Sequence, residues 1–172
     1  MKGIVYERYG PPEVLQLREV EKPAPTHHEV LIRTPAAPVT SGDCRVRSLN
    51  VPSGFRFLTR LVFGISRPKQ PIPGSELAGV IDAVGKDVSR FKPGDEVFAS
   101  SDTAMGCHAE YKCMAEDGAV APKPSALTFE EAAALSFGGT TALDFFRRAK
   151  LQRGESVLVI GASGAVGTAA VQ

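Results

Sequence analysis

Residues 155–172 read ESVLVIGASGAVGTAAVQ, and the order of events in this stretch decides half of the fold. Glu155 to Ile160, ESVLVI, is a short apolar run of the kind that forms a buried strand. Gly161-Ala162-Ser163-Gly164-Ala165-Val166-Gly167 follows at once, and then the start of a helix, Thr168 to Gln172. Strand, tight glycine loop, helix start is the context that a dinucleotide fingerprint requires. The spacing is G-x-x-G-x-x-G rather than G-x-G-x-x-G. Gly161 permits a sharp exit from the strand. Gly164 removes a side chain where a pyrophosphate would approach the backbone, and Gly167 lets helix pack on strand. The freed amides and the positive helix end would receive the phosphates. The competing reading is a helix start rich in alanine and glycine, with no ligand.

Working outward, Thr128-Phe-Glu-Glu131 is a capping box, in which hydroxyl and carboxylate satisfy orphan amides reciprocally. The spacing predicts one helix through Leu135 and a second over Thr140 to Ala149. Arg147, Arg148 and Lys150 stand at the negative end of the second. Gly154 then turns the chain into the strand. Further back the composition breaks. All thirteen prolines lie between Pro11 and Pro124, whereas the last 48 residues hold ten alanines. We therefore divide the chain at 1–124 and 125–172. In the first part Gly3 to Arg8, Val14 to Val20, His28 to Arg33, Glu76 to Val84, Glu96 to Ala99 and Tyr111 to Met114 read as strands. Glu76 to Val84, nearly all apolar on both faces, suits a central strand. Pro93-Gly94 is a turn, Gly allowing positive φ at its second central position. Many short strands with Pro/Gly turns predict an all-β barrel or sandwich. Residues 53–66 break that pattern. Ser53 could cap a helix with Phe57, Leu58, Leu61 and Val62 near one face and Arg56 and Arg60 on another. It is expected to cover a barrel end, or to wall a hydrophobic pocket.

The 172 residues make one domain, or one and part of another. At 43% hydrophobic and 23% charged, a globular, soluble chain is expected. Twenty basic against nineteen acidic residues give +1, which argues against a broad basic face for nucleic acid. No apolar run approaches the ~20 residues of a membrane helix, so no membrane partner is expected. The start, MKGIVYERYG, does not read as a signal peptide. Three irregularly spaced cysteines, Cys44, Cys107 and Cys113, form no disulfide framework and suit a reducing, cytoplasmic compartment. Cys107-His108 with Cys113 fits no standard zinc spacing and reads as two buried, inert cysteines and a surface histidine. His27-His28 reads as a solvated turn with no visible partner, and Arg67-Pro-Lys69 as a solvated loop.

Five stretches in order resemble the medium-chain dehydrogenase/reductase superfamily, and more narrowly its zinc-independent quinone oxidoreductase-like reductases. They are PVTSGDCRVR at 38–47, PGSELAGVIDAVGKDVSRFKPGDEVFA at 73–99, AEYKCMAEDGAVAPKPSALTFEEAAAL at 109–135, GTTAL at 139–143, and the glycine-loop segment at 155–172. The resemblance implies a mostly β GroES-like barrel, followed by the first strand and helix start of an incomplete α/β Rossmann domain. It also implies NADPH, bound in the cleft between the two and spent on a quinone, an enone or a carbonyl. The loop from Gly161 to Gly167 would hold the pyrophosphate, and Thr141 would lie against the nicotinamide. Thr40 stands where these reductases often carry Asn, Asp43 is the acidic residue after it, and Cys44 occupies a position more usually aromatic. These three are the candidate catalytic residues. The helix-forming segment before Arg67-Pro-Lys69 suggests a subgroup that carries this insertion.

Zinc-dependent relatives use Cys, His and a second Cys as ligands. Here the corresponding positions are Thr40, Ser75 of Gly74-Ser75-Glu76, and the vicinity of Phe137. Two hydroxyls and a phenyl ring do not suit zinc, so no metal is expected. A conjugated acceptor is then favoured over a simple alcohol, since its developing oxyanion needs only hydrogen-bond donors such as Thr40. From Glu155 the chain continues for 18 residues, short of the 30 or so in one βαβ unit. A truncated reductase is therefore expected, binding NADPH weakly or not at all. It should self-associate through the unpaired strand at 155–172 unless the preceding helix covers it. The alternative is a non-catalytic GroES-like binding or assembly module.

Overall fold

The computed structural model describes residues 1–172. Strands β1 (Lys2–Val5) and β2 (Gln16–Glu19) form an antiparallel hairpin. Strands β3 (Glu29–Ala36), β4 (Glu76–Val84), β5 (Glu96–Ser100), β6 (Tyr111–Ala115) and β7 (Val120–Pro122) form a second sheet, in the order β6-β3-β4-β5-β7. The helices are α1 (Ser41–Ser48), α2 (Arg56–Phe63), α3 (Phe129–Ala149) and α4 (Ala165–Val171). The hairpin is stitched to the larger sheet just ahead of β6. There the Ile4 amide donates to the His108 carbonyl (2.9 Å) and the Glu110 amide to the Lys2 carbonyl (3.0 Å).

The apolar run at 76–84 is indeed the middle strand, β4, and its alternation organises the molecule. Leu77 and Ile81 point into the main core with Val30, Ile32, Phe91, Val97, Cys107 and Met114. Ala78 points the other way, onto Ala132 and Ala133 of α3. Residues of the same parity share a face, so Glu76 also looks toward α3. Small side chains at this contact let the helix backbone approach the sheet closely. Pro35 lies within the register shift between Arg33 and Ala36 of β3, as expected for a residue with no ladder donor. Gly94 takes a φ of +94° in the turn before β5.

Several expectations change. The first two strands are shorter than read, because the Tyr6 amide turns away to the Pro71 carbonyl and a 3-10 turn occupies Pro12–Val14. α1 and β7 had no sequence reading. Ser53 begins a 3-10 turn instead of capping α2, whose N-cap is Phe55. α2 covers no barrel end: Phe57 is 79% exposed, and Leu58 and Leu61 are exposed beside it. The two helices expected between 128 and 149 are one helix of 21 residues. Gly138 does not interrupt it, because it is a packing position: a Cβ there would lie 2.7 Å from the Ala165 carbonyl oxygen of α4. Residues 155–160 form no strand. A strand needs a neighbour for its amides and carbonyls, and Leu158 and Ile160 stand 85% and 89% exposed.

Candidate functional site

α1 begins with a second capping box, and that box assembles the first half of the site. Thr40 is the N-cap, and its hydroxyl accepts from the Asp43 amide at 3.2 Å. Asp43 Oδ2 accepts in turn from the Thr40 amide and from the Thr40 hydroxyl, both at 2.7 Å. A carboxylate buried to 5% exposure needs such partners. Ser75 Oγ lies 3.5 Å from Asp43 Oδ1, at the mouth of β4. The proton of Thr40 is thus aimed at Asp43, and the hydroxyl must rotate before it can donate elsewhere.

The neighbouring acid, Glu76, is 3% exposed. It accepts a hydrogen bond from the Phe137 amide, midway along α3. Burial pushes its carboxyl above the usual range, against the lowering by that amide, and the nearby Asp43 raises it further. Ser136, also buried, donates to the Ala99 carbonyl at 3.4 Å and fixes α3 on β5. Phe137 and Thr141 are one helical turn apart on α3, and Gly138 meets α4 between them. Thr141 is half-buried.

The glycine loop lies at this far side of α3. Gly161 has a φ of +81°, and the Gly164 amide donates to its carbonyl at 3.1 Å. Gly167 is buried where a Cβ would fall 2.2 Å from the Gly161 oxygen, so loop and helix touch backbone to backbone. A Cβ at Gly161 would meet nothing within 4 Å, and one at Gly164 only the Gly161 oxygen at 3.6 Å. Gly164 caps α4 without a side chain. Ala162, Ser163 and Ala165 are exposed and Val166 is half-buried. This open face of glycines and small side chains suits a diphosphate in kind.

Cys44 is exposed and, with Asp43 and Arg47, lines a cavity of about 490 Å³ whose far wall is Ile4, Leu15 and Leu17. Thr40, Asp43 and Cys44 come together with Ser75. Thr141 and residues 161–167 form a second group. No hydrogen bond joins the groups directly; the route runs from Asp43 through Ser75 and Glu76 to Phe137 and Gly138. Sequence reading missed Ser75 and Glu76 as neighbours of Asp43. The signal was an acid at the first position of a strand whose next five residues are apolar or glycine.

Three side readings are corrected. His108 is half-buried, its Nε2 2.9 Å from the Pro38 carbonyl. Cys113 is half-buried and only Cys107 fully so. His27 and His28 both face Asp87, at 3.7 and 3.8 Å. Thr40 and Ser75 spend their hydroxyls on Asp43, and Phe137 offers a backbone amide to Glu76. Zinc takes thiolate, imidazole or carboxylate, and the three positions Thr40, Ser75 and Phe137 offer none of these.

Residues 26–140 match the alcohol dehydrogenase GroES-like domain. The chain belongs to that family. Within the GroES-like family it is similar to quinone oxidoreductases of the medium-chain dehydrogenase/reductase superfamily. Human quinone oxidoreductase is 40% identical over 175 residues, covering 100% of this chain and 49% of the relative. The solved quinone oxidoreductase of Coxiella burnetii superposes with a TM-score of 0.83 at 29% identity, over 99% of this chain and 52% of that one. The Escherichia coli quinone oxidoreductase, solved in complex with NADPH, gives a TM-score of 0.79 at 28% identity, over 99% and 48%. The chain spans about half the length of the curated relatives it matches. Its fold is that of a GroES-like domain with the segment that follows it, matching the N-terminal half of these relatives, although the strand read at 155–160 does not form.

Proposed function

We propose that this chain is the substrate-side portion of an NADPH-dependent oxidoreductase that reduces quinones, enones or carbonyls without a metal. One observation carries the reading. α3 holds Glu76 through the Phe137 amide and packs Gly138 against α4, so one helix registers the Thr40–Asp43 group to the glycine loop.

Gly161 to Gly167 would hold the diphosphate, the open face of Gly161 and Gly164 admitting it and the side-chain-free cap of α4 leaving its first amides free. Thr141 would border the nicotinamide. When bound, the cofactor supplies the hydride. The chain's own part is to orient an electron-poor substrate and stabilise the charge that develops on its oxygen. Asp43 fixes Thr40, and Thr40 Oγ1 donates to that oxygen once it turns off the carboxylate. Cys44 borders the same opening.

The test is an assay of the full polypeptide made from its own gene, following reduced cofactor with a quinone, an enone and a primary alcohol. Reduction of the conjugated acceptors without zinc is the expected result. Alcohol oxidation that tracks stoichiometric zinc overturns the metal-free reading. Absence of both turnover and NADPH binding returns the chain to a binding or assembly module.

A further inference from the structure

The segment between Asp43 and Glu76 has a composition unlike the rest of the chain. It holds six of the twenty cations, Arg45, Arg47, Arg56, Arg60, Arg67 and Lys69, and none of the nineteen acids. The remainder therefore carries fourteen cations against nineteen acids. The same segment carries the largest group of exposed large apolar side chains in the chain: Phe55, Phe57, Leu58, Leu61, Val62 and Ile65. At 100° per residue, Phe57, Leu61, Leu58 and Val62 share one arc of α2, with Arg56 and Arg60 along one edge, and Ile65 follows beyond the Gly64 cap.

We propose that α2 and its flanks dock in the plane of an anionic lipid bilayer, the apolar arc entering the acyl boundary and the cations facing the headgroups. Two signals of this kind, apolar penetration and basic attraction, are what a peripheral element needs. The backbone at the exit of α2 is prepared for such a setting. The Arg60 carbonyl accepts from the Gly64 amide, Leu61 from Lys69 Nζ and Phe63 from the Lys69 amide. The Gly64 carbonyl accepts from the Tyr9 hydroxyl, and Ile65 from the Arg60 guanidinium. Polar backbone groups entering an apolar phase must be satisfied from within. A second copy is the poorer occupant. A two-fold contact through this face would set cations against the same cations, with no acid in the segment to answer them. The contact is peripheral, since no helix is long and apolar enough to cross a membrane. The expectation of no membrane partner rested on that spanning criterion alone.

The full 172-residue chain contains no tryptophan, so Phe57→Trp places one reporter on the arc. It should shift to the blue and co-sediment with vesicles of phosphatidylcholine and phosphatidylserine, not with phosphatidylcholine alone. Arg56→Glu with Arg67→Glu, two exposed cations with no hydrogen-bond duty, should lower the bound fraction by about tenfold or more. Leu58→Ser with Leu61→Ser should do the same while leaving the far-ultraviolet spectrum unchanged. Equal binding to both vesicle types, or no blue shift on either, overturns the proposal. So does a reporter shift that follows protein concentration without vesicles, which would assign the face to a second copy. None of these readouts depends on catalysis.

Discussion

At the residue scale, the molecule buries two carboxylates near one another and partners them differently. Asp43 takes its partners from its own helix cap, and Glu76 takes its partner from a helix more than fifty residues away. Burial raises the Glu76 carboxyl above its ordinary 4.5, so the folded protein holds that proton more tightly than the unfolded chain. The stability it lends is complete below pH 4.5 and is lost as pH climbs through the raised value. Glu76→Gln is neutral throughout and keeps an oxygen for the Phe137 amide. Urea midpoints followed from mild acid to mild alkali should therefore show the variant gaining on the parent as pH rises. A difference that shrinks with pH would contradict this. The thiols give a second expectation. Burial pushes Cys107 up to about 11, opposed by its hydrogen bond with Ser101, and burial likewise takes Cys113 to about 11. Cys44 is exposed. A neutral thiol titration should find one fast group per chain, and Cys44→Ser should remove it; two fast groups would refute the assignment. Thr40 and Asp43 were singled out because family motifs carry them. The box they form went unread, since T-S-G-D ends in aspartate and precedes Cys-Arg, not an apolar run.

At the element scale, α3 shows why local signals mislead. The Thr128 box was readable, with Thr128 N to Glu131 Oε2 at 2.9 Å and Glu131 N to Thr128 Oγ1 at 3.2 Å. Thr128→Ala should cost about 1 kcal/mol, seen as a lowered thermal midpoint. Gly138 and Gly139 fall in the gap between the two helices read from the sequence, and glycine is a poor helix former. The use of Gly138 is tertiary, and tertiary contacts leave no trace in a window of sequence. Gly138→Ala separates the two roles. Alanine should strengthen α3 by helix propensity while pushing α4 away. The expected result is faster amide exchange over 165–171 with α3 at least as well protected as before, and protection retained in α4 would show that the close approach is dispensable. The failed strand at 155–160 has the converse cause. Its apolar pattern is correct, yet a strand is a property of a pair.

At the scale of the whole molecule, the central strand and the order of the motifs were legible. The uncovered face of α2 was not, since amphipathicity reveals an apolar face but not whether anything lies upon it. Val157, Leu158 and Ile160 are likewise exposed. We expect the chain to self-associate through them, and Leu158→Lys with Ile160→Lys to return a monomer in sedimentation velocity. A parent chain already monomeric at high concentration would end that expectation. We also expect weak NADPH affinity for this 172-residue polypeptide, and micromolar binding by titration would reverse it. The undivided 21-residue α3 has a mechanical corollary. At roughly 1.5 Å per residue it is a rod of about 31 Å, gripping the sheet on one turn and the glycine loop on the next. A rod has no hinge, so any rocking of one half against the other must pivot beyond its end, where Lys150 and Gly154 turn left-handed at φ +53° and +92°.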